Sequence, residues 1–314
     1  MRAYFLMGLA FTPAHALAEA PQVLTDMPVT ASLVQQVMGN ERNVDSLLDA
    51  QSDPHDFQLR PSQAKALQDT DLLVWIGPEM TIWLADAANT LGADRQMQLL
   101  HQPGTHLRQF GSSEDDHSHT DEDHEGEDHH HDHEDGHEHT GTDPHAWLDP
   151  KNGQLWLTLI AERLAQMDPE NAETYRDNAA AAAETIESLD AEITTELAGS
   201  TEQPFVTFHD AYGYFTDHYG MPAAITVSIG DASAPSASRI REVREMIDGS
   251  GATCALTEAG QSPRMIEAVI DGTDLQTGGE ISPNGAKIDA GPMLYQEILR
   301  QLSQRISACS DMQK

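Results

Sequence analysis

The stretch DPENAETYRDNAAAAAETIESLDAEITTELAG, residues 168–199, decides how the rest of the chain is divided. Asp168 suits an N-cap, Pro169 the first helical position and Gly199 the stop. Tyr175, Ala179, Ala182, Ile186, Leu189, Ile193 and Leu197 recur at spacings of four and three, so one narrow face is apolar while Glu and Asp fill the others. At the rise of an α-helix this predicts a rod of about 45 Å, longer than most globular helices. A core helix inside one domain is the alternative, and the flanking sequence argues against it.

On both sides strand and helix signals alternate. Residues 23–25, 44–48, 72–76 and 97–100 read as strands and 30–38, 62–68 and 80–91 as helices, with a helix over 156–167 leading into the rod. Beyond Gly199, strands are expected at 205–208, 224–229, 252–257 and 273–276, and helices at 211–219, 236–247, 263–270 and 292–307. Such alternation makes parallel sheets with helices on both faces. The expected fold class is α/β: an N-terminal lobe over 19–167, a long rigid linking helix over 168–199 and a C-terminal lobe over 200–314. No sequence repeat relates the two lobes, only a similar order of elements.

Residues 1–18 read as a signal peptide. Arg2 is a short positive region, residues 4–11 form an apolar run too short to span a bilayer, and Ala16-Leu17-Ala18 offers a small-x-small cleavage site, with cleavage after Ala18 or after Ala16. The mature chain is therefore expected outside the cytoplasm, where a disulfide persists. Cys254 falls in a strand and Cys309 at the end of the last helix, so one bond between them would fasten that helix; two buried thiols are the alternative.

The formal net charge of -35 argues against nucleic acid or anionic membranes as partners and favours cations. Part of it is local, because residues 114–139 carry 13 Asp and Glu together with nine His. The surrounding segment, 111–142, has nothing apolar to bury and reads as a disordered His/Asp/Glu-rich loop whose imidazoles would bind metal cations weakly.

The tripeptide Asp-Pro-His occurs twice, at 53–55 and 143–145. Proline fixes its own φ and keeps the preceding residue out of the helical region, so His55 and His145 are each presented from a non-helical turn. His209 follows the 205–208 strand directly, at the carboxyl end where open α/β sheets bind ligands. If the three converge, they do so between the lobes. Neutral imidazoles suit zinc, whereas magnesium, calcium and manganese prefer oxygen. Asp56, Asp149 and Asp210 are candidates to accept hydrogen bonds from the metal-binding rings, and Trp75, Trp147 and Tyr212 to pack around the cleft.

Five segments carry a resemblance: HDFQLRPS at 55–62, WIGPEM at 75–80, the acidic histidine-rich insert, DPHAWLDP at 143–150 and FHDAY at 208–212. In this order they resemble the periplasmic zinc-binding (ZnuA-like) components of bacterial ABC uptake systems. The resemblance implies two lobes on one rigid helix, a Zn2+ site between them, delivery to a membrane permease and no enzymatic activity. It places the metal ligands on His55, His145 and His209 and the family disulfide on Cys254 and Cys309. Related manganese and iron binders usually have a carboxylate where His209 stands. Some zinc members carry Glu just before the first histidine, where this chain has Pro54. The fourth position is left to water, Asp53 or Glu258. By analogy a diffusing carrier is a monomer. A zinc hydrolase is the reading from another class, and the chain has neither His-Glu-x-x-His nor Gly-x-Ser-x-Gly. The same fold carrying manganese, iron, nickel or copper is the other alternative.

Overall fold

A computed structural model describes residues 20–39, 44–110, 141–200, 202–228, 235–252 and 254–312. The leader and all but Gly141 and Thr142 of the 111–142 segment lie outside the described residues. In the first lobe, β1 (Val23–Thr25), α1 (Pro28–Met38), β2 (Asp45–Ser46), α2 (Pro61–Asp69), β3 (Leu72–Trp75), α3 (Ile82–Ala88) and β4 (Gln96–Gln98) follow one another. The strands pair in parallel in the order β2-β1-β3-β4. All four residues of β3 are buried, because helices cover both faces of the sheet. Its side chains divide with period two. Leu72, Val74 and Ile76 pack with Leu33, Val34 and Val37 of α1, and Leu73 and Trp75 pack with Leu67 and Leu84 on the other face.

Two helices then cross the molecule. α4 (Pro150–Met167) starts six residues before the expected helix at 156, because Asp149 caps it through the Lys151 amide and Pro150 takes the first position. The long helix is also cut differently from the sequence reading. Pro169–Asn171 form a separate 3-10 turn, and α5 (Ala172–Leu197) runs for 26 residues. Asp168 is not a side-chain cap; its Oδ2 accepts instead from Asn171 and from the Tyr175 hydroxyl.

The second lobe contains β5 (Val206–Thr207), α6 (Gly213–His218), β6 (Ile225–Thr226), α7 (Ala237–Ser250), β7 (Cys254–Glu258), α8 (Pro263–Ile270), β8 (Gln276–Ile281) and α9 (Leu294–Asp311). Its parallel sheet is ordered β6-β5-β7-β8, the same strand order as the first lobe. β8 lies later than the expected 273–276 because two glycines, which weaken a strand, stand inside it. Gly279 holds a positive φ of 110°, and Gly278 is there for space. A Cβ on Gly278 would meet Cys254 Sγ at 2.5 Å and Leu256 Cδ2 at 2.8 Å. Cys254 forms the disulfide with Cys309, which ties α9 to β7. Closing that loop is worth about 4 kcal/mol in the chain-entropy model.

The lobes are fastened to one another and to α5. The buried face of α5 packs on α4, on α1 of the first lobe and on α9 of the second. Ser32 Oγ donates to the Pro292 carbonyl at 3.1 Å and accepts from the Tyr295 amide at 3.1 Å. Trp147 Nε1 donates to the Pro283 carbonyl, and the Tyr295 hydroxyl donates to the Trp147 carbonyl. One charge, Asp190, lies on the buried stripe of α5, and a buried carboxylate needs a partner. His218 of α6 supplies it: Nε2 lies 2.8 Å from Asp190 while Nδ1 lies 3.3 Å from Asp149. Lys151 approaches Asp190 at 3.5 Å.

Burial alone would lower the His218 pKa, but the hydrogen bonds to Asp149 and Asp190 hold it above the ordinary histidine value. This stabilisation is fully present below the unfolded-state pKa near 6.5 and is lost as pH rises through the raised folded value. Replacing His218→Gln should therefore cost about 2 kcal/mol at pH 6 and less at pH 9, measured by urea unfolding of the mature protein without metal. A cost independent of pH would rule out an imidazolium at this position.

Candidate metal centre

One local device presents two of the three histidines. Asp53 Oδ1 accepts the His55 amide at 2.9 Å, and Asp143 Oδ1 accepts the His145 amide at 3.0 Å, each across an intervening proline. Trp83 Nε1 donates to the Pro54 carbonyl at 2.8 Å and pins the first turn to α3. The second turn runs into a 3-10 turn at Ala146–Leu148 that carries the buried Trp147. His209 is placed by the sheet itself. It lies two residues past β5, and its amide donates to Glu258 Oε1 at 3.3 Å, Glu258 being the last residue of β7. β5 and β7 are neighbours and the chain leaves β5 for β6 on the opposite side, so His209 and Glu258 meet where the strand order reverses.

The three rings converge. One ring nitrogen from each of His55, His145 and His209 lies within 4.8 Å of the others, and the ring centroids are 5.4 to 6.2 Å apart. His145 and His209 are buried and His55 is half-buried. Two carboxylates stand behind the buried rings: Asp143 Oδ1 is 2.8 Å from His145 Nδ1, and Glu258 Oε2 is 2.6 Å from His209 Nδ1. Carboxylates so placed fix the tautomer, orient the ring and strengthen Nε2 as a donor to a metal. Trp147 packs 5.3 Å from His145 and Tyr212 packs 6.2 Å from His209. Burial pushes the Asp143 carboxyl up to about 7, against the pull of the His145 amide and of Arg108. Burial, with Glu258 alongside, pushes the Tyr212 phenol well above its usual range.

Several sequence expectations change here. Of the acidic residues considered as ring acceptors, Asp149 serves other histidines, taking His106 Nδ1 at 2.8 Å as well as His218. The carboxylates that hold the candidate ligands are Asp143 and Glu258. Asp143 was legible in principle, since an Asp two residues before an amide commonly accepts it. Glu258, a fourth-ligand candidate from the sequence, turns both of its oxygens to His209. Trp75 lies in the apolar cluster with Leu67 and Leu84, away from the histidines, whereas Trp147 lines the cleft with Met80, Pro283 and Asn284.

Residues 23–309 match the family described as "Zinc-uptake complex component A periplasmic". The high-affinity zinc uptake system protein ZnuA of Paracoccus denitrificans is 51% identical over 312 residues, covering 96% of this chain and 95% of that protein. The periplasmic zinc binding protein TroA of Treponema pallidum superposes with a TM-score of 0.76 at 21% identity, covering 93% of this chain and 99% of the other. A manganese-bound periplasmic metal binding protein from Candidatus Liberibacter asiaticus gives 0.73 at 20% identity, covering 91% and 97%.

Because Glu258 orients His209, Glu258→Gln should weaken zinc binding roughly 10-fold or more. Competition against a chromophoric zinc chelator at constant pH measures it, and an unchanged dissociation constant would show that the ring needs no such support.

Proposed function

The chain belongs to the zinc-uptake complex component A family, and on that premise we propose that it captures Zn2+ between its lobes in the periplasm and delivers it to the membrane permease of an ABC uptake system. The observation that carries the reading is the convergence of His55, His145 and His209, drawn from both lobes, within 4.8 Å. Three nitrogen donors suit the tetrahedral preference of zinc. His145 and His209 would coordinate through Nε2, since Nδ1 of each faces a carboxylate. We assign the fourth position to water, because Asp53 and Glu258 already hold histidine amides. Zinc is cargo here, so the protein must bind it tightly and still let it go.

A carrier of another transition metal is the second reading, favoured by the manganese-bound structural neighbour. The all-nitrogen donor set argues against manganese, which prefers oxygen, but not against copper, which outcompetes zinc at most nitrogen sites. We read the chain as a carrier rather than a hydrolase. Its donors are divided between two lobes, an arrangement suited to enclosing an ion and releasing it. The fastenings between the lobes favour small changes on binding, confined to the loops bearing the three histidines. Among the described residues no helix is long and apolar enough to cross a membrane.

Calorimetric titration tests the site on four metal-stripped samples: the mature chain, a form lacking residues 114–139, and that form with His55→Ala or His209→Ala. One tight zinc site should survive the deletion and weaken at least 100-fold in each histidine variant, as loss of one of three protein ligands implies. Tight binding that disappears with 114–139 and ignores His55 and His209 would instead make the acidic segment the binding site.

A further inference from the structure

Arg108 is the one arginine among the described residues that is almost wholly buried, with 8% of its surface exposed. It lies just before the acidic segment, and the carboxylate it approaches, Asp143, lies just after it. Gln109 and Thr142 pair as an antiparallel bridge, and the Asp143 amide donates to the Arg108 carbonyl at 2.9 Å, so the two residues are held side by side. Arg108 Nη1 is 3.5 Å from Asp143 Oδ2, and Nε donates to Asp217 Oδ2 of α6 at 2.7 Å. Asp143 has no exposed surface, and its other oxygen receives both the amide and Nδ1 of His145. The carboxylate is thus hydrogen-bonded by the histidine on one side and faces a buried cation at ion-pair distance on the other.

The second lobe provides the room for this cation. Gly213, the first residue of α6, lies against the guanidinium, and a Cβ there would collide with Arg108 Cζ and Nη1. The next residue, Tyr214, accepts the Arg108 amide at 2.8 Å and donates its hydroxyl to the Asp143 carbonyl at 2.9 Å. α6 follows His209 closely in the chain, so the arm that bears His209 also braces the arm that bears His145.

We propose that Arg108 is a positioning residue for metal binding: by holding Asp143 from behind, it fixes the ring of His145, and with α6 it sets the distance between the His145 and His209 arms. A buried carboxylate deprived of its cation loses the partner that offsets its desolvation and no longer has a defined orientation. The inference rests on the reading of His145 as a ligand.

The test uses the mature protein loaded with zinc or with cobalt(II), whose visible d–d bands report ligand geometry. Arg108→Met, close in length but uncharged, should weaken zinc binding about tenfold and change the cobalt spectrum, while Arg108→Lys recovers part of both. Gly213→Ala keeps every charge but displaces the guanidinium, and should shift affinity and spectrum in the same direction; it carries the test if Arg108→Met does not fold. Zinc affinity within twofold of the parent and an unchanged cobalt spectrum, in whichever of Arg108→Met and Gly213→Ala folds, would overturn the inference. His145→Ala separates the two failures. If tight zinc binding survives that variant, the three-histidine reading is wrong; if it is lost while Arg108→Met matches the parent, only the role of Arg108 is wrong.

Discussion

The packing of one helix against both lobes is the constraint on which the site depends. α5 buries a stripe from Tyr175 to Leu197 against α4, against α1 on one side and against α9 on the other. The separation of the lobes is therefore set by close-packed side chains, which tolerate little displacement. Three histidines contributed by two lobes can hold nitrogens within 4.8 Å of one another only if that separation is kept. The polar contacts of Ser32 with Pro292 and of Trp147 with Pro283 add direction to what the apolar stripe fixes in distance.

Within that frame the histidines are controlled chiefly by carboxylates. Each of the three amides is held by one, Asp53, Asp143 or Glu258, and two rings are held as well. The loops bearing His55 and His145 thus gain a defined geometry without regular secondary structure, from an Asx turn with a proline inside it. The second-lobe histidine needs no turn motif, because neighbouring strands end beside each other and their terminal residues meet.

Much of this was legible beforehand, for physical reasons that differ by element. The period of the α5 stripe and the unbroken apolar run of β3 reflect burial on one face and on two, and both patterns survive in the residues themselves. The doubled Asp-Pro-His announced two similar turns. β8 departs from the expected range because Gly278 satisfies a packing demand from Cys254 and Leu256, and Gly279 a positive φ, neither of which a local propensity records. The early start of α4 was available in Asp149-Pro150, a cap followed by a proline, and was outweighed by the apolar spacing that begins at Trp156. Asp190 interrupts the stripe of α5 for the sake of His218, a residue on another element. The pairing of Arg108 with Asp143 crosses a 34-residue interval in the chain, and nothing in either neighbourhood announces it.

The antiparallel bridge between Gln109 and Thr142 has a consequence for how the protein can vary. Phe110 donates its amide to the Gly141 carbonyl at 3.0 Å, so the segment between them leaves and rejoins the lobe at a single point. When the ends of a chain segment are held together in this way, each doubling of its length adds only about 0.6 kcal/mol to the cost of closure. Because this anchor stands immediately before Asp143, whose own amide is tied to the Arg108 carbonyl, a change in the length of the interval costs little in closure and leaves Asp143 and the ring it holds in register.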